Sequence, residues 1–175
     1  MTRTASVSAI EVRDLSFAEE ACWKRLYIEY VSAINPWEGE VQAAKAWECF
    51  KEAQFSTAFF VVAVLDGRVI GFANAVLHDD IGYGTACYVQ DLYVECSARR
   101  QGAGSSLMRK FFAAIKGMGW SQVHWAASST NPGAIELYRQ IACDQESTQR
   151  FSVYATDPYL LNILATDNLD PHLQS

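Results

Sequence analysis

The chain is short of the features that mark several common classes of protein. Its five cysteines (Cys22, Cys49, Cys87, Cys96, Cys143) are odd in number and form no C-x-x-C pair. A disulfide framework or thiolate zinc site is therefore not expected, and reduced thiols in a cytoplasmic protein are the simplest reading. The three histidines, His78, His124 and His172, lack ligand spacing, so no metal is expected. Basic charge is scarce too: 14 Lys and Arg against 20 Asp and Glu leave a net charge of −6. That balance argues against nucleic acid or an anionic membrane surface as partner, and is compatible with a cationic substrate. No hydrophobic run approaches the ~20 residues of a membrane span. The longest strongly apolar stretch is Ala58 to Leu65. The opening Met-Thr-Arg-Thr-Ala-Ser-Val-Ser lacks the apolar core of a signal peptide.

What is present is the material of a packed domain. Half of the 175 residues are hydrophobic and 13% are aromatic. A chain of this length makes one domain that buries about two thirds of its unfolded surface. Residues 1–175 are read as a single domain, with 1–9 and 166–175 as loose termini.

Apolar periodicity supplies the element order. Residues 10–13 predict a short strand, and Phe17 to Val31 a helix with Leu26, Tyr27, Tyr30 and Val31 on its apolar stripe. Asn35-Pro36-Trp37-Glu38-Gly39 breaks the chain before a second helix carrying Val41, Ala44, Trp47 and Phe50. Phe59 to Leu65 reads as a buried strand, Asp66-Gly67 as a two-residue hairpin turn, and Arg68 to Leu77 as the partner strand. After a polar loop over 78–84, Thr85 to Glu95 is a strand, Gly104 to Lys116 a helix and Gln122 to Ala127 a strand. Asn131-Pro132 then opens a helix through Gln140 with proline at its favoured first position. Phe151 to Tyr154 predicts a last strand, and Asp157-Pro158 caps a helical turn carrying Leu160, Leu161 and Leu164. One mixed, mostly antiparallel sheet follows, with a central parallel β-α-β crossover and helices on both faces.

The segment most informative about function is Gln90-Asp-Leu-Tyr-Val-Glu-Cys-Ser-Ala-Arg99-Arg-Gln-Gly102-Ala-Gly104-Ser-Ser-Leu-Met-Arg109. It reads as a strand, a turn with two glycines one residue apart, and an amphipathic helix. A helix that starts on such a turn presents unpaired N–H groups and the positive end of its dipole, which suits a phosphate. Three readings of the turn stand beside one another. A dinucleotide fingerprint needs a third glycine where Leu107 stands, and an acidic residue closing a second strand. A P-loop is not among them, because no Gly-Lys-Ser/Thr follows. A strand-to-helix turn without a ligand would leave Arg99 and Arg100 solvated.

The third reading comes from a wider pattern. Arg99-Arg-Gln-Gly102-Ala-Gly104 resembles the (Arg/Gln)-x-x-Gly-x-(Gly/Ala) motif of the GNAT superfamily of N-acetyltransferases. Further on, Trp125-Ala-Ala-Ser-Ser-Thr-Asn131-Pro-Gly-Ala134-Ile-Glu-Leu137-Tyr138 is similar to that superfamily's second motif, an asparagine seven residues before a helical tyrosine. The ending Leu137-Tyr138-Arg-Gln-Ile-Ala142 resembles the Hpa2-like histone and polyamine acetyltransferases.

The resemblance implies acetyl-CoA as co-substrate and direct attack on it by the amine of a small molecule, polyamine or lysine-like side chain. It implies that main-chain N–H groups of Arg100, Gln101, Gly102, Ala103, Gly104 and Ser105 hold the pyrophosphate, with Arg99 and Arg100 pairing to phosphate oxygens. Main-chain groups of Leu92, Tyr93 and Val94 would pair with the pantetheine arm, and Asn131 with its amides, although Asn131 also suits a helix cap. An N–H of Leu92 or Tyr93 would polarise the thioester carbonyl. Tyr138 matches the family's proton donor to sulfur.

A base is also needed. An alkylammonium of pKa ~10.4 is neutral in about one molecule in 2,500 at pH 7, equivalent to roughly 4.6 kcal/mol. Gln90 stands where many relatives carry a glutamate, and an amide takes no proton, so Asp91 is the candidate to bind the ammonium or act through water. Glu29, Tyr30, Trp37 and Glu38 are expected along the acceptor wall, where aromatics and carboxylates suit a cation. His124 and Cys96 are expected to pack rather than to pair as a nucleophile. The reading without catalysis is an acyl-CoA-binding regulatory module, motivated by Gln90. A homodimer through Tyr159 to Leu164 fits the apolar tail.

Overall fold

The computed structural model describes residues 9–53, 57–82, 84–119, 121–128 and 130–141. Residues 1–140 form one compact unit and residues 141–175 a second, of which 141 alone is described. The last strand expected at 151–154, the helical turn after Asp157-Pro158 and the apolar stretch 159–164 lie outside the described residues.

The order is β1 (Glu11–Asp14), α1 (Glu20–Ser32), α2 (Gly39–Ala53), β2 (Ala58–Leu65), β3 (Arg68–Asp80), β4 (Gly84–Val94), α3 (Ala103–Met118), β5 (Gln122–Trp125) and α4 (Pro132–Arg139). A 3-10 turn at Phe17–Glu19 precedes α1 where one continuous helix was expected. Ser16 closes a capping box there: its hydroxyl accepts from Ala18 N, and the Glu19 carboxylate accepts from Ser16 N. Glu19 also takes two bonds from Arg13, at 2.8 and 2.7 Å, which tie the turn to β1. No described helix is long and apolar enough to cross a membrane.

The five strands run β1-β2-β3-β4-β5, antiparallel up to β4 and parallel between β4 and β5, with α3 as the crossover. Among the described residues that crossover lies at one edge of the sheet. The β2–β3 hairpin turns on Asp66 and Gly67, both at positive φ (51° and 76°), as an Asp-Gly hairpin requires. The next hairpin is longer than its apolar pattern: His78, Asp79 and Asp80 pair with Ala86, Thr85 and Gly84. Main-chain bonding sustains the ladder after the apolar alternation has ended, so the expected polar loop shrinks to its tip.

Helices α1 and α2 cover one face of the sheet. Trp23, Leu26, Tyr27 and Val31 of α1, at helical spacing, meet Ala43, Trp47 and Phe50 of α2 over Val62, Val64 and Phe72. Trp23 and Phe72, both fully buried, have ring centroids 5.6 Å apart. The opposite face carries α3 through buried Leu107, Met108 and Phe111. Glu95, at the end of β4, is 5% exposed and accepts from Ser97 Oγ at 2.7 Å while pairing with Arg68 at 2.5 Å and Arg25 at 3.3 Å. Burial works to raise its pKa, but these three donors outweigh that and hold it below the ordinary range. The contact anchors α1 to the strand end from which the glycine turn departs.

Candidate active site

Two irregularities of β4 build the site. The first is its pairing with β5, which covers only Ala86–Val89 against Gln122–Trp125. Beyond Val89 the outer edge of β4 has no strand partner among the described residues, because β5 ends two residues earlier than its apolar run predicts. Antiparallel main-chain groups alternate in direction. Glu95 N donates to Ile70 O at 2.9 Å, so Tyr93 and Asp91 also bond toward β3. Leu92 and Val94 then turn their N–H and C=O groups to the open edge. Of the three residues expected to meet a pantetheine arm, these two have the right aspect, and Tyr93 has its main-chain groups directed toward the sheet.

The second irregularity is a β-bulge. Ala75 pairs with Val89 and Asn74 with Asp91, which leaves Gln90 as the extra residue. Gln90 is exposed on the bulge. Asp91 is turned onto the face that carries α1, where it is half-buried. Its carboxylate accepts from Asn74 Nδ2 at 3.0 Å and from the Tyr30 hydroxyl. Burial raises the Asp91 pKa; the bonds from Asn74 and Tyr30 pull it back only in part, and the net shift is upward. Burial and the Asp91 charge together push the Tyr30 hydroxyl up. Tyr138 reaches the same region from α4. Its ionised form would oppose ionisation of Tyr30, its ring lies 5.3 Å from Trp125, and burial raises its own pKa. Tyr30, Asp91 and Tyr138, far apart in sequence, thus gather beside the bulge.

The glycine turn lies where β4 runs into α3. Arg100 and Gly102 adopt positive φ (64° and 91°), a bend that concentrates main-chain N–H groups ahead of the helix. The first intrahelical bond runs from Ser106 N to Gly102 O at 2.9 Å. The N–H groups from Gly102 to Ser105 are therefore the orphan donors of the helix start. Gly104 serves another purpose. A Cβ there would lie 3.2 Å from Leu137 Cδ2 and 3.8 Å from Leu92 Cδ2, so the missing side chain lets α4 and β4 close on the start of α3.

An open cleft of about 580 Å³ adjoins the turn, lined by Gln101, Gly102, Ser105, Ser106 and Arg109 on one side and by Ala9 and Ile10, ahead of β1, on the other. Ser106 and Arg109 were not expected there, although Arg109, four residues after Ser105 and three after Ser106, is the helical neighbour of both. Arg99 is partly engaged: its Nε donates to Val94 O at 2.9 Å and its guanidinium lies 5.6 Å above the Tyr93 ring. Asn131 caps α4, its Oδ1 accepting from Ala134 N at 3.1 Å.

The expected acceptor wall is brought together only in part. Glu29, the residue before Tyr30 on α1, accepts from Arg25 at 2.6 Å and from the Tyr93 hydroxyl at 3.2 Å. Trp37 is 90% exposed on the α1–α2 connection, where Glu38 accepts from Gln42. Cys96 is exposed in the turn after β4. His124 is exposed and its Nε2 is 2.8 Å from His78 Nε2 across β4.

A thioester coenzyme fits this chemistry. Orphan N–H donors suit a pyrophosphate, an unpaired strand edge suits the amides of pantetheine, and a Cβ at Gly102 would meet nothing within 4 Å. The fold is shared with solved structures of low sequence identity. An integron cassette protein from the mobile metagenome of V. cholerae aligns at 22% identity over 90% of this chain and 98% of its own, with a TM-score of 0.68. The ribosomal-protein-alanine N-acetyltransferase of Brucella melitensis aligns at 20% identity over 83% and 99%, also at 0.68. An aminoglycoside N-acetyltransferase in complex with CoA aligns at 18% identity over 86% and 97%, at 0.67. No curated protein matches in sequence. The family model described as the acetyltransferase (GNAT) family matches residues 18–142, a span that takes in α1, the bulge, the glycine turn and Tyr138. The chain thus belongs to the GNAT family and is an acetyl-CoA-dependent N-acetyltransferase.

Proposed function

We propose that the chain acetylates a primary amine, of a small molecule, a polyamine or a lysine-like side chain, by direct attack within a ternary complex. The observation that carries this reading is the half-buried Asp91 carboxylate, held by Tyr30 and Asn74 beside the bulge. Gln90 cannot take a proton, and Asp91, one residue on, can. Asp91 receives the ammonium proton, directly or through water. The amine nitrogen then bonds to the acetyl carbonyl carbon while its oxygen is polarised by the Leu92 N–H, and the carbon–sulfur bond breaks. Tyr138, kept protonated by its burial, gives its proton to the departing thiolate and regains one from the second proton that the new amide nitrogen sheds. Leu92 and Val94 orient the pantetheine arm from the open strand edge. The N–H groups from Gly102 to Ser105 seat the pyrophosphate with Arg100, and Arg99 reaches it with the guanidinium nitrogens left free by Val94. Asn131 contributes its side-chain NH2 while its oxygen caps α4.

Tyr138→Phe tests the assignment. A general acid is worth ~10²–10⁴-fold in rate, so kcat should fall within that range while the acetyl-CoA Kd stays within about twofold. Weakened acetyl-CoA binding with normal kcat would overturn the role of Tyr138. Release of coenzyme A thiol across a panel of primary amines tests the enzyme itself; tight acetyl-CoA binding with no turnover on any of them would favour a regulatory module.

A further inference from the structure

No motif of the sequence points to Asn74, yet it holds the carboxylate on which the proposed chemistry depends. It sits opposite Asp91 on β3, is 5% exposed, and donates from Nδ2 to Asp91 Oδ2 at 3.0 Å. That bond fixes the amide's orientation, since the reverse placement would set one oxygen lone pair against another. Held this way, Asn74 Oδ1 is buried with no hydrogen-bond donor among the described residues. Its neighbours Phe72, Ala73 and Ala75 are all buried and apolar, so the position is otherwise one of core packing. A leucine there would avoid burying an orphan acceptor. The amide's one engaged group is the donor aimed at Asp91.

We propose that Asn74 is a positioning residue for Asp91: an N–H of its amide fixes one carboxylate oxygen at the bulge and favours the ionised form that accepts a proton. This deepens the reading of Asp91 as the proton acceptor and rests on it. The other titratable groups that feel the Asp91 charge are Tyr27 and Tyr30 of α1. Tyr27 is pushed up to about 12 by burial and then by that charge, and Tyr30 is pushed up as well, so both stay neutral through the acidic range. Tyr138, facing Tyr30 from α4, is raised by burial and is also neutral there. None of these tyrosines contributes to the acidic limb of activity, which the proposal assigns to Asp91.

Asn74→Leu keeps the bulk and removes the donor; Asn74→Ser loses bulk and keeps a hydroxyl that can donate. Loss of a hydrogen bond to a charged acceptor should move the acidic limb of kcat/KM up by about one pH unit in the leucine variant, a tenfold loss on the acid side. The serine variant should shift it less although it is the less stable protein. A purely packing role gives the opposite order, with the serine variant the more affected in every readout. Two measurements are independent of turnover and use coenzyme A, which transfers nothing. In the wild-type complex, the Asn74 side-chain amide resonance should titrate with the same midpoint as the Asp91 carboxyl carbon, and the leucine substitution should raise that midpoint. An Asn74 amide that ignores the Asp91 titration overturns the proposal even if no variant folds. If the carboxyl midpoint moves while the activity profile does not, Asn74 positions Asp91 and the assignment of Asp91 as proton acceptor fails instead.

Discussion

Gly102 gives the sharpest test of the glycine turn, because the cost of replacing it can be separated from any clash. Its φ is +91°, and a Cβ added there meets no atom within 4 Å, so Gly102→Ala carries a conformational penalty and no steric one. An L-residue in the left-handed region costs roughly 1–2 kcal/mol. The lower entropy of the unfolded alanine chain returns about 0.4–1 kcal/mol of this. The net loss is about 1 kcal/mol, or a fall of about 2–4 °C in the thermal midpoint for a domain of this size. The larger effect is expected in coenzyme A binding. Relaxing φ toward negative values re-aims the orphan N–H groups, and losing one hydrogen bond to a charged phosphate is worth about 1.5–3 kcal/mol, which weakens Kd about 10- to 100-fold. Arg100→Gly is the counterpart, since Arg100 also sits at positive φ, 64°. Glycine relieves that strain, so stability should rise by up to about 1 kcal/mol while coenzyme A affinity falls with the lost guanidinium. The assay is titration calorimetry with coenzyme A beside thermal melts of both variants. A Gly102→Ala protein that melts lower but binds coenzyme A within twofold of wild type would refute the turn as a phosphate seat.

Gly71→Ala should be more damaging, because its Cβ would lie 2.7 Å from the Tyr93 carbonyl oxygen, and main chain must shift to admit it. A loss of about 1–3 kcal/mol, read by denaturant unfolding, is expected from such overpacking. Asp91→Asn should abolish turnover in the amine panel yet stabilise the protein at neutral pH. The folded pKa of Asp91 is raised, so the folded state binds more protons than the unfolded one, and wild-type stability falls as pH rises from the ordinary carboxylate value through the folded one. The gain in melting midpoint over wild type should therefore grow across that window and then level off; a gain that is flat with pH would contradict the assigned shift.

Much of the architecture was legible because it is written in local signals. Asp66-Gly67 dictates its hairpin, Asn131-Pro132 its helix start, and the spacing of Trp23, Leu26, Tyr27 and Val31 a face that must be buried. The glycine turn and Tyr138 were visible for a related reason: a Gly-x-Gly turn and a motif on one helix are short-range features. Asp91 and Tyr30 could be named from the sequence, but what holds them could not be read there. The bulge at Gln90 comes from how β4 pairs with β3, and nothing in the residue order of either strand announces that one residue is extra. Asn74 reads as an unremarkable polar residue within an apolar strand until the register sets it opposite Asp91.

The sequence by itself thus determined most of the described elements, the glycine turn and the resemblance to the family, since each is written in short motifs and local periodicity. Only the tertiary structure decided how Asp91, already the candidate from the sequence, is held and how far it is withdrawn from water. A cross-strand pairing 17 residues apart in the chain sets Asp91 against Asn74. The packing of α1 over that pair brings Tyr30 to it and withdraws the carboxylate from water. Proton affinity is a property of that environment, and an environment exists only once the chain has folded.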